Sequence, residues 1–187
     1  SIELFKTHES YDLWEMNEGI HLYSISAIYA AYKAMIKIEE ELGKKENINR
    51  LEKTAGKIKK YCKENLCNKV EKTLKRNERD NVCDISTLGT IIPFEMYNEN
   101  EKEIQNTIEK MNMTLRTYTG GYIRFENDNY MGGNNPWIIA TLWMALYNIK
   151  INNKEEVKRE IDFALKTSTK HGFLAEQIDN EKMQPNW

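Results

Sequence analysis

Two kinds of helix alternate along this sequence, and the alternation restricts what the chain can fold into. Residues 19–42 (GIHLYSISAIYAAYKAMIKIEEEL) are apolar around most of their first half, and Gly43 stands where a C-terminal cap belongs. This pattern predicts a deeply buried helix. The next segment, 46–75, places Ile48, Leu51, Ala55, Ile58, Cys62 and Leu66 at spacings of three and four among lysines and glutamates, so only one stripe is buried. A short apolar stretch, 85–92, stops at Pro93. It precedes an amphipathic helix over 100–115 with Ile104, Ile108, Met111 and Leu115 on one face. Residues 136–149 are again apolar nearly all round, with Pro136 in a first-turn position it tolerates, and 154–165 form another charged amphipathic helix. A helix apolar on every side must be surrounded, whereas one with a single stripe lies outside. Three such pairs in series predict an all-α fold of antiparallel hairpins curling into a toroid, inner helices along the axis and outer helices around it. An α-solenoid is the competing architecture, and no fixed-period repeat supports it.

With 187 residues, 40% of them hydrophobic, the chain can bury a core as one domain spanning 1–187. Its 27 basic and 29 acidic residues leave a net charge of −2, which lacks the electrostatic footprint of a nucleic-acid binder. Lys57, Lys59, Lys60 and Lys63 read as the solvated face of a helix. Cys62, Cys67 and Cys83 have neither zinc-site spacing nor histidine partners. An odd set of this kind suits a reducing compartment and favours the cytoplasm. His8, His21 and His171 are scattered, so no metal and no cofactor is expected. No run approaches the ~18 apolar residues of a membrane span, and no signal-peptide pattern is present. The ending KMQPNW, with no helix to follow, predicts a piece of something longer.

In a toroid the connections from each outer helix to the next inner one emerge at the same end. Those connections are YDLWEMNEGIH, ERDNVCDIS and TGGYIRFENDNYMGGNNPW, with HGFLAEQID following the last outer helix. Acidic and aromatic groups therefore gather on one rim. Gly120, Gly121, Gly132 and Gly133 allow tight turns in the longest loop. Arg124 and Asp128, four apart, either bind a ligand or pair with each other. Asp12 reads as a cap or a hydroxyl ligand, and Glu15 alone as an acid complementing a helix dipole. Trp137, Trp143 and Tyr147 lie at helical spacings that suit a core, with Trp137, at the rim end, the exception.

YDLWE before GIHLYSISAIYAA, then GGYIRFENDNYMGGNNPWIIATLWMALY, then GFLAEQID resemble, in that order, the bacterial branch of glycoside hydrolase family 15. Glucoamylases, glucodextranases and trehalases make up this family, whose catalytic domain is a six-hairpin (α/α) toroid. The resemblance spans essentially the whole chain but covers only about the second half of such a domain.

What the resemblance implies is inverting glycoside hydrolysis. One carboxylic acid protonates the leaving oxygen while a carboxylate ~6.5 to 9.5 Å away activates water on the opposite face. By resemblance Glu15, after DLW, is the acid and Glu176, in the EQ pair, the base. Trp14 would supply an apolar wall that raises the acid's pKa. Arg124 and Asp128 would bind sugar hydroxyls, Tyr130 and Trp137 line the site, and Asp12 takes a site role. Many members carry a second glutamate directly after the acid; Met16 stands there, which leaves linkage preference open. The implied activity is an exo-acting α-glucosidase of the glucoamylase type releasing β-glucose, with a trehalase-like or α-1,6-preferring enzyme as the alternative. A different class of reading is a sugar-binding module without turnover. A half-toroid would expose apolar inner faces, and two copies could pair through them as a homodimer.

Overall fold

The computed structural model describes residues 8–186. The chain divides into two compact units: residues up to Asn81 together with Gly89–Ile104, and Val82–Leu88 together with residues from Gln105 onward.

The first unit opens with a short antiparallel hairpin of β1 (Ser10–Tyr11) and β2 (Glu18–Gly19). Helix α1 (Leu22–Glu41) follows and packs on α2 (Ile48–Asn65). Gly43, at φ +67°, ends α1 as its position predicts. Its N–H donates to the carbonyl of Glu40 at 3.1 Å, and that of Lys44 donates to Glu39 at 2.9 Å, a Schellman motif that satisfies two orphan carbonyls. Leu22, Ile25, Ser26 and Ile36 are buried against the unit's core with Ala55, Ile58 and Cys62 of α2. The deep burial expected of α1 is only partly observed. Ile28, Ala31, Met35, Ile38 and Leu42 repeat at spacings of three, four and seven and are exposed, from 37% at Ile28 to 61% at Leu42.

Helix α2 stops at Asn65, ten residues short of the expected end. The Asn68 side chain accepts the N–H groups of Val70 and Glu71, and the resulting turn pairs β3 (Cys67–Asn68) with β4 (Thr73–Leu74). The apolar stretch expected to be a second inner helix is only a 3₁₀ turn, Ile85–Thr90. Asp84 opens it by accepting the Ser86 N–H on Oδ1 (2.8 Å) and the Thr87 hydroxyl on its carbonyl (2.9 Å), and Pro93 cannot prolong it. Helix α3 (Lys102–Thr114) begins in this unit, where Glu101 and Glu103 meet Lys59 and Lys63 of α2.

In the second unit α4 (Ile138–Lys150) packs on α5 (Lys154–Lys166), close to the expected bounds. Pro136 lies two residues ahead of α4, and Trp137 occupies the N-cap position. The Asn153 side chain caps α5, whose first turn holds Glu155 and Glu156, an arrangement favourable to the helix dipole. Ile138, Phe163, Ala164 and Ile178 form a core cluster. The hairpin of β5 (Ile178–Asp179) and β6 (Gln184–Pro185) completes the unit. Glu160 is fully buried in this unit, and its Oε1 accepts the Asn148 amide at 2.9 Å. Its Oε2 has no partner among the described residues, and burial pushes the carboxyl up to about 7. Burial likewise pushes the Cys62 thiol up to about 12 and that of Cys83 to about 11, which makes both poor nucleophiles. No helix among the described residues is long and apolar enough to cross a membrane.

Candidate active site

The first unit holds Asp12, Trp14 and Glu15 at the tip of the β1–β2 hairpin. Asp12 organises that tip. Its Oδ1 accepts the N–H groups of Trp14 (3.0 Å) and Met16 (2.9 Å), and Oδ2 accepts the Asn17 amide (2.9 Å). Its backbone N–H donates to the Asn17 carbonyl (2.9 Å), an oxygen that the His21 ring nitrogen Nε2 also approaches at 3.0 Å. Asp12 is buried, whereas Glu15 projects from the turn, exposed, with φ at +56°. A left-handed backbone costs a non-glycine residue roughly 1–2 kcal/mol, so the hydrogen bonds to Asp12 hold Glu15 in a conformation it would not choose alone. Trp14 is half-buried beside it.

The second unit builds a cluster of its own on an irregular ladder. Arg116 bridges Tyr122, Tyr122 bridges Trp137, and Trp137 bridges Gln177. The Trp137 N–H donates to the Tyr122 carbonyl at 2.8 Å, and the Ile138 N–H to the Glu176 carbonyl at 3.0 Å. This pairing sets Glu176, exposed, next to the segment that carries Trp137. Arg124 and Asp128 pair with each other in parallel: Nε donates to Oδ2 at 2.8 Å and Nη2 to Oδ1 at 2.9 Å. Both are buried, and Asp128 Oδ1 also accepts the Tyr130 N–H at 3.1 Å. The guanidinium lies 4.1 Å from the Trp137 ring centre and 5.2 Å from those of Tyr130 and Phe125. Such a cation over aromatic faces is favoured electrostatically, and the bidentate pairing gives each of the two buried groups a partner. Arg124, Asp128, Tyr130 and Trp137 therefore form one cluster beside the segment that bears Glu176.

Close approach explains one glycine of this loop. A Cβ on Gly121 would stand 2.6 Å from the Phe163 ring and 2.7 Å from Pro136 Cβ. Gly121→Ala is expected to destabilise the fold by about 1–3 kcal/mol, the usual cost of overpacking. A thermal melt unchanged within a degree would contradict it.

Side-chain amides tie these loops together. Gln177 is buried with its side chain between the Tyr130 carbonyl and the amides of Asn135 and Asn186. Asn17 does a similar service for the Glu15 turn. In sequence each is an ordinary turn former or the neighbour of an acid; the only signal was the position of Gln177 directly after Glu176.

Residues 5–161 match the model of glycosyl hydrolases family 15, and the chain belongs to that family. The match takes in Glu15, Arg124, Asp128, Tyr130 and Trp137, and ends before Glu176. An uncharacterized glycosyl hydrolase of Methanocaldococcus jannaschii is 29% identical over 185 residues, covering 91% of this chain and 30% of its own. Trehalase 2 of Sulfolobus acidocaldarius is 30% identical over 77 residues, covering 41% of this chain and 13% of its own. A bacterial glucoamylase complexed with acarbose shares the fold at 15% identity, with a TM-score of 0.77 over 99% of this chain and 33% of that one. The chain thus has the all-α architecture of an (α/α)6 barrel, of which it covers a part. It spans about a third of the length of the first and third of these proteins.

Proposed function

We propose that the chain is one partial domain, 1–187, of an exo-acting, inverting α-glucosidase of the glucoamylase type that releases β-glucose from non-reducing ends. Glu15 protonates the leaving oxygen and Glu176 takes a proton from the attacking water. Arg124 and Asp128, with Tyr130 and Trp137, face the sugar, while Asp12 and Trp14 hold the acid's turn. The observation that carries this reading is the buried Arg124–Asp128 pair set among aromatic rings beside the segment that bears Glu176. Paired charges against aromatic faces suit a ring with one apolar face and vicinal hydroxyls. Kinship with a family of glycosyl hydrolases supports it. The test is glucose release by the full-length parent protein from maltose, isomaltose and trehalose, with the anomer formed first read by NMR. β-Glucose from maltose is expected; trehalose as the preferred substrate would favour the trehalase-like alternative, and isomaltose the α-1,6-preferring one.

The exposed stripe on α1 favours a second reading for the chain by itself: a self-associating helical module that binds sugar without turnover. Ile139, Leu146 and Ile149 on α4 add exposed apolar surface in the other unit. Large apolar patches drive association. The 187-residue chain is expected to run as a dimer in light scattering, and Met35→Lys with Ile38→Lys to reduce it to a monomer. A wild-type monomer that stays soluble at high concentration would count against this assembly.

A further inference from the structure

Gln177 is buried, and each polar atom of its side chain has a partner. Nε2 donates to the Tyr130 carbonyl at 3.1 Å, and Oε1 accepts from Asn186 Nδ2 at 2.6 Å and from Asn135 Nδ2 at 3.4 Å. The same two asparagines donate to the Met131 carbonyl, at 3.1 Å from Asn135 and 3.4 Å from Asn186. A closed set of amides thus grips the loop at two successive carbonyls. That loop needs holding, because Met131 and Asn134 both have left-handed backbones, at φ +48° and +54°.

On the other side, the Gln177 backbone belongs to the ladder: it bridges Trp137, and its carbonyl accepts the Asn186 N–H at 2.9 Å. The bonds from Ile138 to the Glu176 carbonyl and from Ile178 to the Pro136 carbonyl flank it. Successive side chains of an extended segment point to opposite faces, so Gln177 turns inward where Glu176 turns out. A buried amide adds little net stability even when fully bonded and costs dearly when it is not. What three directed bonds provide at this position is a fixed geometry.

We infer that Gln177 is a positioning residue: its side-chain amide locks the segment bearing Glu176 to the Tyr130–Asn135 loop, so that base and sugar-facing loop keep one spacing. The catalytic meaning rests on the reading of Glu176 as the base; the mechanical coupling does not. Gln177→Met removes the bonds. Gln177→Glu keeps the shape, loses the donor to Tyr130 when ionised and regains one when protonated.

Hydrogen exchange and kinetics on the full-length parent protein read the two parts separately. In Gln177→Met the amides of Ile138 and Ile178 are expected to exchange about tenfold faster, with α5 amides unchanged. kcat on an α-glucoside is expected to fall about 10²-fold, the effect of a misplacement near 1 Å, with KM within about threefold. Gln177→Glu is expected to show the same loss at neutral pH and to recover most of it, relative to wild type, near pH 4. Unchanged exchange at Ile138 and Ile178 would overturn the coupling. Faster exchange with kcat unaltered would overturn the catalytic positioning. A parent protein that turns over no glucoside, with the exchange response intact, would overturn the reading of Glu176 and leave the coupling standing.

Discussion

Replacing Glu15 by Gln in the full-length parent protein is expected to lower kcat on maltose by about 10²–10⁴-fold, the usual contribution of a positioned general acid. The loss should shrink on a dinitrophenyl α-glucoside, whose leaving group departs as a stable anion and needs no proton. Glu176→Gln should lose as much on both substrates, because water must be activated whichever group leaves. This difference assigns the roles as well as testing them. Equal losses on both substrates for Glu15→Gln would deny it the acid's part, and a selective loss for Glu176→Gln would exchange the two. The turn that carries Glu15 gives the prediction a structural basis: the buried Asp12 carboxylate holds the N–H groups of Trp14 and Met16, leaving the intervening side chain projecting at φ +56°. Glutamine can occupy that turn as glutamate does, so the substitution removes the proton without moving the loop.

Legibility followed the range of the interactions concerned. The end of α1 was readable because a Schellman motif is local and Gly43 is its residue. Helix α5 was readable because its amphipathic stripe is regular, and the structure adds an Asn153 cap and an acidic first turn that agree with it. The stretch 85–92 misled because a short apolar run reports burial and not conformation. Ile85, Leu88 and Ile91 are indeed buried, but Asp84 opens a 3₁₀ turn there instead of an α-helix. In α2 the apolar spacing ran on through Leu66, where the turn made by Asn68 ends the helix, a competition that periodicity does not register.

For the site, residue types alone left the alternatives open, and it was the order of three motifs that raised Glu15 and Glu176 above ordinary loop acids. The Arg124–Asp128 spacing offered pairing or ligand binding as rivals. The two residues do pair, and the pair is itself the buried, aromatic-walled group proposed to meet the sugar. Gln177, Asn135 and Asn186 were out of reach because their hydrogen bonds join segments distant in sequence, and an amide carries no mark of its eventual partner.

Stability is expected to fall as pH rises from about 4.5 to 7, by an amount that Glu160 controls. Its carboxyl, fully buried between α5 and α4, is pushed up to about 7 from an ordinary 4.5, chiefly by burial, with the nearby Glu156 charge adding to the rise. The Asn148 amide and Arg116, itself paired with Glu156 at 2.9 Å, act the other way; the Tyr122 phenol also lies within reach of its charge. Between those two pH values the folded chain keeps a proton that the unfolded chain has released, so unfolding gains as the solution becomes less acidic. The contribution is complete below about 4.5 and lost above about 7. Allowing for screening close to the helix surface, it amounts to about 2–3 kcal/mol. Glu160→Gln keeps the acceptor for Asn148 and cannot ionise. Denaturant unfolding should therefore find the variant about 2 kcal/mol more stable than wild type at pH 8 and within about 1 kcal/mol of it at pH 4.5. Glu160→Leu should be less stable at pH 4.5 by about 1–3 kcal/mol, because the Asn148 amide loses its acceptor. A difference between wild type and Glu160→Gln that stays flat across the range would show that Glu160 ionises as an ordinary surface acid does. The buried oxygen Oε2 would then have to find water or a cation in solution.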